Sequence, residues 1–293
     1  MNQHFLNDEE IASTMAGFAE LEVDETCLEI GPGKGVITKY LCQDAKTVIA
    51  IEKDESLRSH LKSLSDRLGN LEVRYGDALT QKWPRAHKIV SNLPFNITEP
   101  FFSRLFDKSF RYGIFLIGKR FKLEIDSSLK GEPSTRTSLL MAAYFYIDNL
   151  MDVESNRFTP EPSTDTNIIG ISPVKIEDVR DVALYLIRFI WSQGNRPLYQ
   201  SINNALKNLA LRKLGIEGEI KTETIVSDLG IRQETLGIRG YDATSQELVE
   251  IYKTIKEAKV ARKMSKIARR ETGSKLGDYI SSPAKVGRGV KYR

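Results

Sequence analysis

The sequence predicts an α/β protein in which a mostly parallel sheet, flanked by helices, is followed by a small helical domain. Two observations lead to this fold class. In the first two-thirds of the chain, short apolar runs alternate with amphipathic segments, which is the pattern of successive βαβ units. Beyond about residue 173 the apolar runs give way to longer segments with helical periodicity, separated by glycine and proline.

The individual elements follow from these patterns in chain order. Apolar runs predict strands at 26–30, 47–51, 71–75, 88–91 and 112–117, and two later runs at 143–151 and 167–172 can complete the sheet. Amphipathic segments predict helices at about 8–21, 35–43, 56–68 and 99–106. Asp8 is a candidate N-cap for the first of them, and Gly69 is a stop signal after the third. Later helices are expected at 178–191, 198–213 and 244–270.

The change of pattern near Val174 marks a predicted domain boundary. We expect a sheet domain over residues 1–174, a helical domain over 175–255, and a basic C-terminal extension over 256–293 that is partly disordered. The end of the extension is rich in glycine, serine and lysine, a composition that buries too little apolar surface to hold one structure. The length of 293 residues agrees with two domains.

Composition argues against several classes of protein. Hydrophobic residues make up 41% and charged residues 28%, as in ordinary globular domains. No apolar run is long enough to cross a membrane, and the N-terminus lacks the pattern of a secretory signal. Two cysteines are too few for a disulfide scaffold or a thiolate zinc site, and no cluster of His, Cys or Asp indicates a metal. We therefore expect a cytoplasmic, monomeric protein without a metal and without membrane contact.

Charge is distributed unevenly along the chain. Residues 253–293 contain 13 basic and three acidic residues, a net charge of +10, whereas the rest contains 30 basic and 36 acidic residues, a net charge of −6. A basic end on an acidic body is typical of a chain that binds a polyanion. A solvated end that aids solubility explains the same composition equally well.

A glycine-rich segment joins the first predicted strand to a helix. Residues 28–35 read LEIGPGKG, and glycines in such a turn let a ligand approach main-chain atoms that a Cβ would block. The pattern alone is weak, because a plain strand–helix turn or a dinucleotide site has similar glycines. It is not a P-loop, since no Gly-Lys-Ser/Thr closes it.

Two acids follow the next two predicted strands. Glu52 comes after the strand at 47–51, where a carboxylate can accept hydrogen bonds from both hydroxyls of a ribose. Taken alone, Glu52 is more typical of a helix cap or a surface acid. Asp77, followed by Ala78, comes after the strand at 71–75, where an acceptor suits the exocyclic amine of adenine. Together the loop and both acids predict a site for an adenosine-type cofactor, and the glycine spacing favours S-adenosylmethionine over NAD.

The fourth predicted strand leads into Asn92, Leu93, Pro94 and Phe95. The amino group of adenine is a poor nucleophile because its lone pair is delocalised into the ring. An Asn side-chain oxygen and a backbone carbonyl that both accept from this amine would favour a tetrahedral nitrogen and expose its lone pair to a methyl sulfonium. Pro94 removes a competing N–H donor, and Phe95 offers a face for an unpaired base. The alternative is an ordinary turn after a strand.

With these motifs in order, the chain resembles the ribosomal RNA adenine N6-dimethyltransferase family, which includes the erythromycin-resistance methylases. The resemblance covers residues 1 to about 175 and rests on six segments: 3–6, 29–35, 51–52, 76–78, 92–97 and 158–162. It implies a Rossmann-like, seven-stranded S-adenosylmethionine methyltransferase sheet domain followed by a small all-helical C-terminal domain. It also implies methylation, and in this family dimethylation, of adenosine in ribosomal RNA.

The resemblance further implies a role for each matching residue. His4 and Leu6 would contact the methionine end of the cofactor through their backbone, with Gln3 beside them. Gly31 and Gly33 would line the cofactor, Glu52 would hold the ribose, and Asp77 with Ala78 would contact the adenine. Asn92 would lie between the sulfonium and the target base, with Leu93, Pro94 and Phe95 completing the catalytic segment. The expected partner is ribosomal RNA or an immature small ribosomal subunit.

The RNA-binding part departs from the family pattern. A phosphate-binding basic run is expected at the start of the helical domain, and residues 193–197 read QGNRP instead. RNA affinity depends on how many phosphates are neutralised, so another basic surface has to replace this run. Five basic residues of the extension recur at helical spacing and are candidates for RNA binding: Lys259, Arg262, Lys263, Lys266 and Arg270.

Two other functions remain open on the sequence. The altered segment 118–120 allows an RNA-binding ribosome-assembly factor whose cofactor site is vestigial, and a titration with S-adenosylmethionine would separate it from an enzyme. The motif at 92–95 is also compatible with an adenine methyltransferase that acts on another nucleic acid, such as DNA.

Overall fold

The computed structural model describes residues 4–175, 181–213 and 222–272. The chain divides into two compact units. One contains residues 1–130 and 144–173, and the other contains residues 131–143 and those from 174 onward. The segment 131–143, which the sequence assigns to the sheet domain, thus clusters with the second unit.

The first unit is built on a mixed seven-stranded sheet. Its strands lie in the order β4-β3-β2-β5-β6-β9-β7. The five strands β2 to β6 run parallel, whereas β9 is antiparallel to β6 and β7 is antiparallel to β9. The strands of this unit are β1 (Phe5–Leu6), β2 (Thr26–Ile30), β3 (Thr47–Glu52), β4 (Leu71–Tyr75), β5 (Lys88–Asn92), β6 (Tyr112–Gly118), β7 (Phe145–Val153), β8 (Phe158–Thr159) and β9 (Thr166–Pro173). The predicted seven-stranded Rossmann-like sheet is therefore confirmed.

Helices of the first unit connect these strands. They are α1 (Glu9–Phe18), α2 (Thr38–Asp44), α3 (Arg58–Leu68), α4 (Thr98–Leu105) and α5 (Lys119–Leu129). A further helix, α6 (Arg136–Tyr144), belongs to the second unit except for its last residue, and β7 follows it directly. Asp8 caps α1 as predicted, because its side chain accepts from the backbone N–H groups of Glu10 and Ile11. Gly69 ends α3 in the left-handed conformation that glycine adopts without strain. The sequence analysis predicted neither α5 nor α6.

The strand order places a crevice at one edge of the sheet. From β2 the chain proceeds outward to β3 and β4, and from β5 it proceeds to β6 on the other side. The connections after β2 and β5 therefore diverge, and ligands of such sheets bind at the carboxyl ends of the two strands that flank this switch point. The glycine-rich loop follows β2, and the segment at 92–95 follows β5.

A short two-stranded ribbon ties the N-terminus to a distant part of the first unit. In it β1 pairs antiparallel with β8, with Phe5 opposite Thr159 and Leu6 opposite Phe158. An ion pair of 2.8 Å between Arg157 Nη1 and Asp8 Oδ2 fastens the end of the ribbon. The residues around His4 are thereby held beside the sheet.

The second unit is helical in its described residues. Its helices are α7 (Val182–Ser192), α8 (Leu198–Lys213), α9 (Thr222–Asp228), α10 (Gln233–Leu236), α11 (Ser245–Glu257) and α12 (Lys259–Thr272). The single helix expected at 244–270 is wrong in one respect: Ala258 has an extended ψ of 130° and separates α11 from α12. Nothing from residue 273 onward lies within the described part, so the expected disorder stays a prediction. No helix among the described residues is long and apolar enough to cross a membrane.

Candidate active site

A cavity lies at the carboxyl ends of β2 and β5, at the switch point of the sheet. Four segments that are distant in sequence line it: the N-terminal ribbon, the glycine-rich loop, the end of β3 and the segment after β5. The lining residues that the sequence analysis named are His4, Leu6, Gly31, Gly33, Glu52, Asn92, Leu93, Pro94 and Phe95. The fold thus brings nine of the predicted site residues to one place.

The glycine-rich loop forms an open floor for the cavity. Gly31 and Gly33 have φ angles of +70° and +56°, which favour glycine. A Cβ on Gly31 would meet no atom within 4 Å, so the backbone there borders open space. A Cβ on Gly33 would lie 3.3 Å from the ring of Phe5, a residue of the ribbon that also lines the cavity. The loop therefore offers bare main chain to a ligand while the ribbon supports it.

Glu52, the last residue of β3, is an oriented carboxylate. Its side chain is buried, with 2% exposure of the residue. Oε2 accepts from the backbone N–H of Gly33 at 3.0 Å, and Oε1 accepts from that of Asp54 at 2.8 Å. Each carboxylate oxygen has a second lone pair, so Glu52 can still accept two hydroxyl groups from a ligand in the cavity.

The side chain of Asn92 is held by the N-terminal segment. Its amide nitrogen donates to the carbonyl oxygen of His4 at 3.3 Å. The His4 ring in turn lies 5.6 Å from the ring of Phe95, and its Nδ1 lies 2.6 Å from the carbonyl oxygen of Pro160. The amide nitrogen can only donate, so Oδ1 is the atom of the Asn92 side chain that can accept a hydrogen bond from a ligand.

The backbone beside Asn92 supplies one further acceptor. The carbonyl oxygen of Pro94 already accepts from the N–H of Ile97 and the hydroxyl of Thr98. Leu93 donates its N–H to Leu116 at 3.1 Å, and its carbonyl oxygen has no hydrogen-bond partner among the described residues. Asn92 Oδ1 and the Leu93 carbonyl are therefore two adjacent acceptors at the end of β5.

Asp77 and Ala78 do not line the cavity. One carboxylate oxygen of Asp77 pairs with the ammonium of Lys53 at 2.8 Å, and the other accepts from the N–H of Leu79 at 2.8 Å. The hydrogen bond from Lys53 holds the pKa of Asp77 below its ordinary value. The carbonyl of Ala78 accepts from the indole N–H of Trp83. Their expected contact with adenine stays a prediction, and Gln3 lies outside the described residues.

Sequence reasoning missed several residues of the cavity wall. Pro32, Lys34, Val36 and Ile37 belong to the loop and the turn after it, and their position next to Gly31 was an available signal. Phe5 and Phe158 face the cavity from the ribbon, whose pairing joins residues more than 150 positions apart. No local pattern predicts a pairing across that distance.

The predicted basic face is exposed on α12. Lys259, Arg262, Lys263 and Lys266 are all exposed. None of the four has an ion-pair partner within the described part of the chain, whereas the apolar side of the helix buries Ala261 and Ala268. The side chain of Arg270 lies outside the described residues. Within the described part of the chain, no group of three or more His, Cys, Asp or Glu side chains could hold a metal ion.

The residues of the cavity fit S-adenosylmethionine. The open main chain at Gly31 accommodates a ligand against the loop, and the free lone pairs of Glu52 match a pair of ribose hydroxyls. The aromatic rings of His4 and Phe95 and the two acceptors of the Asn92 segment border the same space. When bound, this cofactor supplies an electrophilic methyl group.

The chain is similar to known proteins over most of its length. The family model described as "Ribosomal RNA adenine dimethylase" matches residues 1–236. A protein of Methanosarcina acetivorans is 34% identical over 210 residues, which are 69% of this chain and 77% of that one. One of Methanosarcina mazei is 30% identical over 261 residues, or 88% of this chain and 93% of that one. Both are named "Probable ribosomal RNA small subunit methyltransferase A".

Solved structures share the fold. A dimethyladenosine transferase from Plasmodium falciparum superposes with a TM-score of 0.59 at 21% identity, covering 85% of this chain and 96% of that one. The 23S rRNA methyltransferase ErmE superposes with a TM-score of 0.55 at 20% identity, covering 86% of this chain and 99% of that one. With the family model spanning most of the chain, the resemblance read from the motifs is confirmed: the chain belongs to the ribosomal RNA adenine dimethylase family, whose enzymes take methyl groups from S-adenosylmethionine.

Proposed function

We propose that this enzyme transfers two methyl groups to the N6 atom of adenosine in the RNA of the small ribosomal subunit, during assembly of that subunit. The names of the Methanosarcina relatives support this target. The observation that carries the proposal is the pair of acceptors at the end of β5. Among the described residues Asn92 Oδ1 and the Leu93 carbonyl have no partner, whereas the Asn92 amide nitrogen and the Pro94 carbonyl each have one or more.

Two acceptors suit the reaction for a chemical reason. The N6 amine of adenine has two N–H bonds and a lone pair that is delocalised into the ring. If Asn92 Oδ1 and the Leu93 carbonyl each accept one N–H, the nitrogen becomes more tetrahedral and its lone pair points away from both acceptors, toward the methyl group. Positioning and preorganised acceptors then supply most of the catalysis.

The transfer requires no strong base. The attacking nitrogen acquires a positive charge as the N–C bond forms, and its N–H protons become acidic enough to be lost to water. The same geometry serves a second transfer, because a singly methylated amine retains one N–H and a lone pair. Phe95, beside the acceptors, offers a ring face against which an unpaired base can stack.

The roles of the remaining site residues belong to the same proposal. Glu52 would bind the ribose of the cofactor, Gly31 and Gly33 would line its methionine end, and the exposed cations of α12 would bind RNA phosphates. We further propose that the enzyme acts as a monomer in the cytoplasm, where ribosomal subunits are assembled.

The Asn92→Ala variant tests the proposal. Removing Oδ1 deletes one of two acceptors, so kcat for RNA methylation should fall by about 10²–10³, the range found when one preorganised hydrogen-bonding group is removed from an active site. Affinity for S-adenosylmethionine, measured by calorimetry, should remain within a few-fold of wild type. The rate is followed as tritium transfer to immature small ribosomal subunits and, for comparison, to duplex DNA.

Asn96→Ala provides the matched control. Asn96 is exposed, belongs to the same segment and does not line the cavity, so the same chemical change there should leave kcat unchanged. Wild-type kcat for Asn92→Ala would contradict the mechanism. Transfer to DNA but not to RNA would contradict the proposed substrate, and failure to bind S-adenosylmethionine at millimolar concentration would favour an assembly factor.

A further inference from the structure

A second cavity lies in the helical unit, at the junction of α11 and α12 beside the start of α7. It has a volume of about 260 Å³ and is lined by three cationic side chains, those of Lys256, Arg262 and Lys266. Ser265 and Asp181 complete its polar wall. A water molecule takes up about 30 Å³ of liquid volume, so the cavity has room for a phosphate group together with water.

The break between the two helices orients Arg262. The chain leaves α11 at Glu257 and turns at Ala258, so the carbonyls of the last turn of α11 need donors from outside the helix. Arg262 Nε donates to one of these, the carbonyl of Lys256, at 3.2 Å. Both terminal nitrogens of the guanidinium have no partner among the described residues. The planar guanidinium is thus held at one nitrogen, and its other donors are available to two oxygens of an anion.

Three other donors surround the same space. Lys256 Nζ donates one hydrogen bond to the carbonyl of Gly131 at 3.0 Å and retains two N–H groups. Ser265 Oγ accepts from the N–H of Val182 at 3.1 Å, which leaves its hydroxyl hydrogen to donate. Lys266 is exposed and makes no ion pair in the described part of the chain. All four side chains can therefore donate to one ligand.

Among the described residues that line the cavity, one is acidic, and its carboxylate is already engaged. Asp181 caps α7, where its Oδ1 accepts from the N–H groups of Ala183 and Leu184 at 2.7 and 3.3 Å. Its negative charge also compensates the positive end of the dipole of α7. The described lining thus holds three cations and one capping carboxylate, which gives it a net positive charge and more donors than acceptors. This is the chemistry that recognises phosphate oxygens.

We infer that this cavity binds a single phosphodiester group of the RNA substrate, with the guanidinium of Arg262 as its principal donor. The inference rests on the proposed function, because it takes the ligand to be RNA. Lys259 and Lys263, exposed on the same helix, continue the positive surface along which a nucleic acid backbone can run. A discrete site differs from a uniformly basic surface in one measurable respect. Basic side chains that line the site should contribute more to RNA affinity than equally exposed basic side chains elsewhere.

The test compares variants in a binding titration. The full chain is titrated against a fluorescently labelled RNA hairpin with adjacent adenosines in its loop, at several salt concentrations. Arg262→Gln should weaken binding about tenfold, as expected for the loss of a hydrogen bond between charged groups. It should also reduce the slope of log K against log salt by about 0.7 to 0.9, the value of one phosphate contact. Lys266→Gln should produce a similar change in slope.

Lys253→Gln is the control, because Lys253 is exposed on α11, carries the same charge and does not line the cavity. Equal losses for Arg262→Gln and Lys253→Gln would overturn the inference, since they would show a diffuse basic surface. Arg262→Lys keeps the positive charge but removes the planar guanidinium. RNA affinity equal to that of the wild type in this variant would also contradict the assigned geometry.

The same variants separate this inference from the proposed function. At saturating RNA, the wild-type enzyme should methylate the hairpin or the subunit, whatever the variants show. Wild-type methylation with no special loss in Arg262→Gln would refute the phosphate site alone. RNA binding that depends on Arg262, without methylation by the wild type, would support the site and refute the proposed activity.

Discussion

A buried carboxyl group belongs to the strand that leads into the glycine-rich loop. Glu29 belongs to β2, two residues before Gly31, and is 2% exposed. Its Oε2 has no hydrogen-bond partner within the described residues. Burial, together with the negative charge of Glu52, raises the pKa of Glu29 from 4.5 to about 8. Glu29 is therefore a neutral acid in the folded protein at pH 6 and ionises only in mildly alkaline solution.

This pKa makes stability depend on pH with a definite sign. Between pH 4.5 and 8 the folded chain holds a proton that the unfolded chain has released. The stabilisation from Glu29 is thus fully present below its unfolded pKa and is lost as the pH rises through about 8. One pKa unit corresponds to about 1.4 kcal/mol. Integrated from pH 6 to pH 8, the expected loss is about 2 kcal/mol in the free energy of unfolding.

Glu29→Gln measures this contribution, because glutamine has the same shape and does not titrate. The free energy of urea unfolding is measured at pH 6 and pH 8 for both proteins. Each carries Trp191→Phe, so that Trp83, in the first unit, is the sole tryptophan. The wild type should lose about 2 kcal/mol relative to Glu29→Gln between the two pH values. Contributions to the pH dependence that the two proteins share cancel in the comparison, and a difference that does not change with pH would refute the reasoning.

Two further variants test the cofactor site and the helical unit. Glu52→Gln replaces one acceptor oxygen by a donor and removes the charge. The affinity for S-adenosylmethionine, measured by calorimetry, should therefore fall about tenfold or more. Unchanged affinity would exclude Glu52 from cofactor binding. Thr244→Ala removes the capping box in which the Thr244 hydroxyl accepts from the N–H of Glu247 and the Glu247 carboxylate accepts from that of Thr244. Thr244→Ala should lower the unfolding free energy of the second unit by about 1 kcal/mol, whereas Thr244→Ser should leave it unchanged. Equal unfolding free energies of these two variants would argue against the cap.

The sheet was predictable because its signals are local. Buried parallel strands are mostly apolar runs, and the predicted strand at 26–30, which is buried over its last four residues, has the same bounds in the structure. The strand predicted at 143–151 begins two residues later, at Phe145, because α6 extends through Tyr144. Neither α5 nor α6 was predicted. Both helices are buried against other elements, and this burial depends on the tertiary structure rather than on the local sequence.

The site, like the fold, was predictable from the sequence in part. Gly31, Glu52 and Asn92 each follow a strand of the parallel sheet, and the carboxyl ends of such strands meet at one edge, so their convergence followed from the order of the motifs. Asp77 also follows such a strand but forms an ion pair with Lys53 and does not line the cavity. Its position after a strand was visible in the sequence, whereas its partner was not.

The sequence by itself determined the class of the sheet, the glycine-rich loop, the segment at 92–95 and the basic helical face. Each of these features depends only on residues that are close together in the chain. Only the tertiary structure decided how the Asn92 side chain is oriented, since its amide nitrogen donates to the carbonyl of His4, which the ribbon of β1 and β8 holds in place. It also decided that the basic face encloses a cavity, because the chain turns at Ala258 and Arg262 reaches back to α11. Such contacts join residues through space, and a pattern of neighbouring residues carries no information about them.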